Sequence, residues 1–215
     1  MTNSYKEKLT EATAQYQKLN KQYNQMGLLR LTDMLLIIGL VYQLIKAPSI
    51  LMGLFCVLAI IIFFLLIVKH KKISARRTIA KTKIRINEQE IAFLEEYIFF
   101  TDNGSVFQQE NHPYAYDLDI LGERSLYHYL NRTHTFLGRK LLAERLLCPI
   151  PERILDTQKQ IQALTPDLTW RQTFTAYAQQ IDDSEEFYTK LSAWAKAPIK
   201  LLSNTMRYTL IALPI

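Results

Sequence analysis

The chain has 215 residues, with 26 Lys+Arg against 20 Asp+Glu, a formal net charge of +6 and a pI near 9.2; that length allows one or two domains. The basic excess sits in one block, 69–87, which holds 8 basic and no acidic side chains, while 1–68 carries +3 and 88–215 carries −5. A uniformly basic nucleic-acid-binding domain is thereby excluded as the source of the pI. The mean hydropathy of −0.04 hides a second asymmetry: 22 consecutive residues, 47–68, carry no charge.

Taken in chain order, the first periodic segment is 4–26. Tyr5, Leu9, Ala12, Tyr16, Leu19, Tyr23 and Met26 recur at alternating spacings of four and three, a heptad seam. Ser4 and Glu7 fit a capping box at its start. The seam is aromatic and small, so the expected element is a partner-seeking amphipathic helix of modest strength. It runs on into a first apolar span at about 28–45, where Arg30 and Asp33 are expected to pair at i, i+3 near an interface. A buried helix of a soluble protein is the competing reading of that span.

Residues 46–49 (KAPS) read as a short turn, and 50–68 (ILMGLFCVLAIIIFFLLIV) as a second span. About 20 apolar residues at ~1.5 Å each cross a hydrocarbon core of ~30 Å. The block that follows contains Lys69, Lys71, Lys72, Arg76, Arg77, Lys81, Lys83 and Arg85. Basic residues flanking a span stay on the cytoplasmic side. The expected arrangement is therefore multi-pass in the inner or plasma membrane, with the N-terminus and everything after Val68 cytoplasmic and the 46–49 turn opposite. A nucleic-acid patch and a specific anionic-lipid site are the other readings of the block.

From 79 to 100 the pattern continues as a helix, with Ile79, Ile86, Phe93, Tyr97 and Phe100 on one stripe, closed by Asp102, Asn103 and Gly104. The fold class expected is mainly α: a transmembrane helical hairpin with cytoplasmic coiled-coil-like extensions over 1–104, a linker at 105–116, then an α-helical bundle over 117–200. Within the bundle, Ser125 is expected to cap a helix to Asn131. Thr135 opens another, with Leu137, Leu141, Leu142 and Leu146 inward, stopped by Pro149, and Pro151 sits in a first turn. Further helices are expected at 152–164, 168–181 and 184–197, with Trp170, Phe174, Tyr177, Phe187, Leu191 and Trp194 as packing residues. The apolar tail 201–215 reads as the start of a third span, truncated, with packing on the bundle as the alternative.

Chemistry is sparse. The six glycines, at 27, 39, 53, 104, 122 and 138, form no phosphate-cradling loop. Cys56 and Cys148 are expected as small apolar side chains, without a disulfide or metal-ligand pattern. His112, His128 and His134 lack the spacing of a ligand set. Asp117 and Asp119 would share one side of an extended segment, where solvation and capping compete with acid–base work. No catalytic, cofactor-binding or metal-binding residue is assigned.

One stretch is more specific: DLDILGERSLYHYLNRTHTFLGRKLLAERLLCP, residues 117–149. Asp119, Gly122, Ser125, Leu126, Asn131, Arg132, Thr133, Thr135, Gly138 and Arg139 stand in the order of a short apolar lead ending at Gly, a Ser-Leu helix, and an (N/D)RT-x-T-x-x-G-R turn. It resembles the opening of the core (lever) domain of the MutS family, the DNA mismatch-repair ATPases. Beside a membrane hairpin, the match is similar to a membrane-anchored MutS-like subgroup. The resemblance implies an N-terminal anchor and lever fragment, with the ATPase domain and its ATP and Mg beyond Ile215, DNA as a partner by family, and a homodimer in the full-length protein. Apart from the family, the motif has a local reading: Thr135 caps a helix, Gly138 permits close helix approach, and Arg132 and Arg139 clamp carbonyls or carboxylates around a tight junction. A membrane scaffold that dimerises through the tyrosine-rich seam, with no nucleic-acid role, is the alternative function.

Overall fold

A computed structural model describes residues 2–181 and 183–197. Among these the chain is mainly helical and has no strand: α1 (Thr2–Lys46), α2 (Ile50–Glu96), α3 (Leu126–Leu130), α4 (Phe136–Leu147), α5 (Ile154–Leu164), α6 (Leu168–Ala178) and α7 (Glu185–Lys196). Two short 3-10 turns stand at Ser105–Phe107 and Pro151–Arg153. The tail read as a third span lies outside the described residues.

Helices α1 and α2 are each long and apolar enough, by length and composition, to cross a membrane. They pack against each other in opposite directions, pinned at three levels. Lys6 pairs with Glu95 at 2.7 Å, Arg77 donates to Asn20 at 2.8 Å and Tyr16 at 3.3 Å, and Arg30 reaches His70 at 3.3 Å. The heptad seam from Tyr5 to Met26 is the shielded face of α1. It faces α2 of the same chain, with Ala12 buried and the other seam residues half-buried. Beyond it, both helices turn leucine, isoleucine and phenylalanine outward: Leu35 is 61% exposed, Ile50 88% and Leu65 65%.

Several local expectations need correction. Helix α1 already contains Ser4, so Ser4 and Glu7 form no capping box. Arg30 and Asp33 do not pair. Arg30 turns toward α2, where it meets His70 and lies 5.7 Å over the Phe63 ring, leaving its Nε and Asp33 Oδ2 buried without a hydrogen-bond partner. Helix α2 stops at Glu96 rather than near Phe100, because Tyr97 takes a left-handed conformation (φ 54°), its N–H donating to the Phe93 carbonyl at 3.1 Å and the Ile98 N–H to the Ala92 carbonyl at 3.5 Å. Tyr97 and Phe100 consequently leave the stripe and are 71% and 51% exposed, while Ile86 and Phe93 remain buried.

The second part of the core is small. Ala115, Ile120, Leu121, Tyr127, Ala143 and Leu147 form it, with Phe107, Tyr114, Leu142 and Leu146 against it. The stretch 105–116, expected as a linker, thus contributes Phe107, Tyr114 and Ala115. In α4 the buried face is Ala143 and Leu147, whereas Leu137 and Leu141 are half exposed. Residues 114–119 form turns rather than an extended run. Asp119 is left-handed (φ 47°), so Asp117 and Asp119 are two exposed turn residues and not a same-facing pair.

Candidate functional site

The candidate site is the junction at 131–139, where the chain turns from α3 into α4 and is tied back to α2. Asn131 is completely buried. Its Nδ2 donates to the Asp102 carbonyl at 2.9 Å, and its Oδ1 accepts from the Thr133 N–H at 2.9 Å and hydroxyl at 2.7 Å. One amide thereby fixes both the turn that follows it and the segment after α2. Thr135 then caps α4, its hydroxyl accepting the Gly138 N–H at 3.1 Å. A Cβ on Gly138 would stand 2.9 Å from that hydroxyl oxygen and 3.2 Å from Thr133. The glycine therefore admits the local cap; its expected role in close approach of another helix is not what its surroundings show.

Arg132 is the clamp. Its guanidinium pairs with the Glu90 carboxylate of α2, donates to the carbonyls of Tyr129 at 3.1 Å and Asn131 at 2.8 Å, and lies 4.5 Å from the Phe93 ring centre. Planar donors and a weakly hydrated face suit arginine to this combination. Arg139 donates to the Asp183 carbonyl at 3.1 Å, and the Asp183 carboxylate accepts the Phe136 N–H at 2.9 Å, an anion at the start of α4. Upstream, Ser125 caps α3 through the His128 N–H at 3.2 Å. His128 is buried; its Nε2 donates to Thr101 and its Nδ1 accepts from Arg124, both at 3.1 Å. Asp119 accepts the Leu126 N–H through its carbonyl, at 2.9 Å. Gly122 (φ 110°) donates to Asn103 at 2.9 Å. Tyr127 is fully enclosed, with its ring 2.7 Å from where a Cβ of Gly104 would sit, and burial pushes its phenol up to about 12.

Helix α6 and its C-terminal end dock on α2 through polar groups. Asn87, fully buried, accepts from the Gln172 amide at 2.7 Å. Lys83 donates to the Thr173 hydroxyl at 2.8 Å, and burial, then the charge of Lys8, pulls its ammonium down. Arg85 donates to the Gln179 carbonyl oxygen, and Gln180 donates to Thr82 at 3.2 Å. The eight basic residues of 69–87 therefore divide by role. Arg77 is stacked on Tyr16 and Tyr23, Lys83 and Arg85 hold α6, and Lys69, Lys71, Lys72, Arg76 and Lys81 are exposed.

Beside the junction lies a cleft of about 480 Å³ between α2, the 98–101 segment, α3 and α6. Phe93, Phe99, Trp170 and Phe174 line it, with Arg132 and Arg171 as its cations. Trp170 and Phe174 stack at 5.4 Å but are 49% and 60% exposed, and Tyr177, Phe187, Leu191 and Trp194 are exposed too. This corrects their expected packing role: the buried residues of α6 are Gln172 and Ala176. Sequence reasoning missed Glu90, Asn87, Gln172, Asp183, the buried role of His128 and the half-buried place of His134. Only Glu90 had a signal, lying three residues before Phe93 on the same helix face. No group of three or more His, Cys, Asp or Glu among the described residues could hold a metal ion. Cys56 is buried and Cys148 exposed, both free. The chain matches no family model, no curated protein and no solved structure.

Proposed function

We propose that this chain is the membrane anchor and lever of a MutS-like protein, relaying movement between a bilayer-embedded helix pair and an ATPase domain that the family carries after its lever. The observation that carries the reading is the clamp of Arg132 on Glu90. Arg132 belongs to the family-like motif, and Glu90 stands on α2, the uninterrupted helix that also holds the 50–68 apolar run. A displacement of α2 is thereby passed to α3 and α4 through a charged, ring-stacked contact rather than through a flexible loop. In this reading α1 and α2 cross the inner or plasma membrane over about 28–45 and 50–68, the outward apolar residues meet lipid, and the two helix extensions and the bundle share the cytoplasmic side. DNA and a second copy of the protein are partners by family, and ATP with Mg belongs to the ATPase domain.

Topology is tested first. In a chain with Cys56→Ala, a membrane-impermeant maleimide applied to intact cells should label Ser49→Cys and leave Cys148 unlabelled until lysis. Labelling of both from the same side would remove the membrane-crossing part of the proposal. A second reading, a scaffold without a nucleic-acid role, draws on the −5 charge of 88–215 and the open aromatic face of α6 and α7. DNA binding by the chain in phosphatidylcholine nanodiscs separates the two. A log-affinity that falls steeply with log salt supports the MutS-like reading, and no binding at any salt supports the scaffold.

A further inference from the structure

Where α2, the 98–101 segment, the junction and the end of α6 meet, a smaller cleft of about 280 Å³ is lined by Arg85, Gln89, Phe100, His134 and Gln179. Among the described residues no carboxylate lines it. Its polar groups form a relay. Arg85 donates to the Gln179 Oε1, and the same amide donates from Nε2 to the His134 Nε2 at 2.8 Å. We propose that Arg85, Gln179 and His134 form a binding site for a soluble phosphate-type oxyanion, the phosphoryl group of a small ligand or free phosphate.

Three guanidinium groups bear on His134: Arg85 from α2, Arg132 from the junction and Arg139 from α4, while α6 presents the neutral Gln179. Two of the three are already committed, Arg132 to Glu90 and Arg139 to the carbonyl of Asp183, whose carboxylate caps α4. Among the described residues Arg85 holds a single amide oxygen, and it is exposed, so its fork is available to a tetrahedral anion. Burial first, and then these cations, lower the His134 pKa and favour the neutral ring, which fits its accepting a hydrogen bond from the Gln179 N–H. An arriving dianion offsets the cations. Arg85 leaves Gln179 for the anion, the amide turns its oxygen toward the imidazole, and His134 takes up a proton that the anion and the amide oxygen stabilise. Binding is thus coupled to proton uptake, and affinity rises as pH falls through the His134 pKa.

The ligand is a soluble one because of distance. Arg85 stands 17 residues beyond Val68 on a continuous helix, about 26 Å at ~1.5 Å per residue. A headgroup in the bilayer that α2 leaves at Val68 is out of reach. This exclusion of lipid rests on the membrane reading above; the site itself does not.

The test uses the whole chain in phosphatidylcholine nanodiscs with ¹⁵N-labelled histidine, the His134 signal being assigned by its loss in His134→Gln. Orthophosphate titrated at fixed pH should shift that signal saturably and raise the His134 pKa. Sulfate, whose charge is constant across the range, should bind more tightly as pH falls, and His134→Gln should abolish that dependence. Arg85→Gln should weaken phosphate binding about tenfold or more while leaving helical circular dichroism unchanged. Absence of a His134 shift, or equal affinity in Arg85→Gln, overturns the site. Nanodiscs containing phosphatidylglycerol, with no phosphate added, supply the lipid arm: an unshifted His134 supports the soluble ligand, and a phosphate-like shift overturns it. Failure of the maleimide topology with phosphate binding intact would sink the membrane reading and leave the site standing.

Discussion

Asn131 bears more of the junction than its size suggests, because one buried amide serves three partners on two segments. Replacing it by alanine strands the Asp102 carbonyl and the Thr133 N–H away from water. Each such orphan costs about 1–3 kcal/mol, so Asn131→Ala is expected to lower stability by about 3 kcal/mol. Thr133→Val removes only the hydroxyl bond and should cost about 1 kcal/mol. Thermal loss of helical circular dichroism in detergent gives the ranking, and amide exchange over 126–147 locates it. An Asn131→Ala protein that melts with the parent would show the junction to be incidental. The Thr135 cap of this junction was legible in the sequence, since a Thr three residues before a Gly announces a local cap that needs no tertiary context, whereas the bond of Asn131 to Asp102, 29 positions away, was not. The partners of Arg132 were not legible. That a carboxylate 42 positions away would receive it depends on where α2 and α3 cross, which no local pattern encodes.

At the scale of elements, helix positions and the seam face of α1 were legible, and the buried face of α6 was not. The boundaries of α3, α4 and α7 follow from Ser125, Thr135 and Ser184, each of which caps its helix in the structure. Yet α6 buries Gln172 and Ala176 and leaves Trp170 and Phe174 outside. The cause is the contact it makes. Helix α2 offers α6 the buried amide of Asn87, and a polar pair with a small neighbour lets the helices approach where an indole would hold them apart. Hydrophobic periodicity reports what a helix can bury; the partner surface decides what it does bury. A double-mutant cycle tests this. Asn87→Leu alone leaves the Gln172 amide unpaired in a closed interface, at a cost of about 1–3 kcal/mol. Asn87→Leu with Gln172→Leu removes both polar groups and should recover most of that loss, read as the thermal midpoint and as amide protection of α6. If the double variant is no better than the single, the pair is not the docking contact.

For the whole molecule, charge distribution and helix length act together. Helices of 45 and 47 residues extend about 68 and 70 Å at ~1.5 Å per residue, more than twice a hydrocarbon core of ~30 Å. An antiparallel pair of that length, apolar only around its turn, leaves two long polar extensions on one side. In the membrane reading, the side is set by basic residues near the span ends. Lys18, Lys21, Lys69, Lys71, Lys72 and Arg76 stand at one end, and Lys46 alone at the turn. The structure separates this topological role from the fold. Lys69, Lys71, Lys72 and Arg76 are exposed, whereas Arg77, Lys83 and Arg85 hold α1 and α6. Changing the first four to glutamine should therefore weaken the orienting charge without loosening the helix pair. Because Lys18 and Lys21 persist on the same side, these changes alone should leave most chains oriented as before. Combined with Ala47→Lys and Ser49→Lys, which raise the turn from one cation to three, they should invert a substantial fraction, seen as Cys148 becoming labelled by impermeant maleimide in intact cells. Helical content should be unchanged. A chain that keeps Cys148 fully protected under this redistribution would show that something other than the basic block orients it, and the +6 net charge would lose its assigned role.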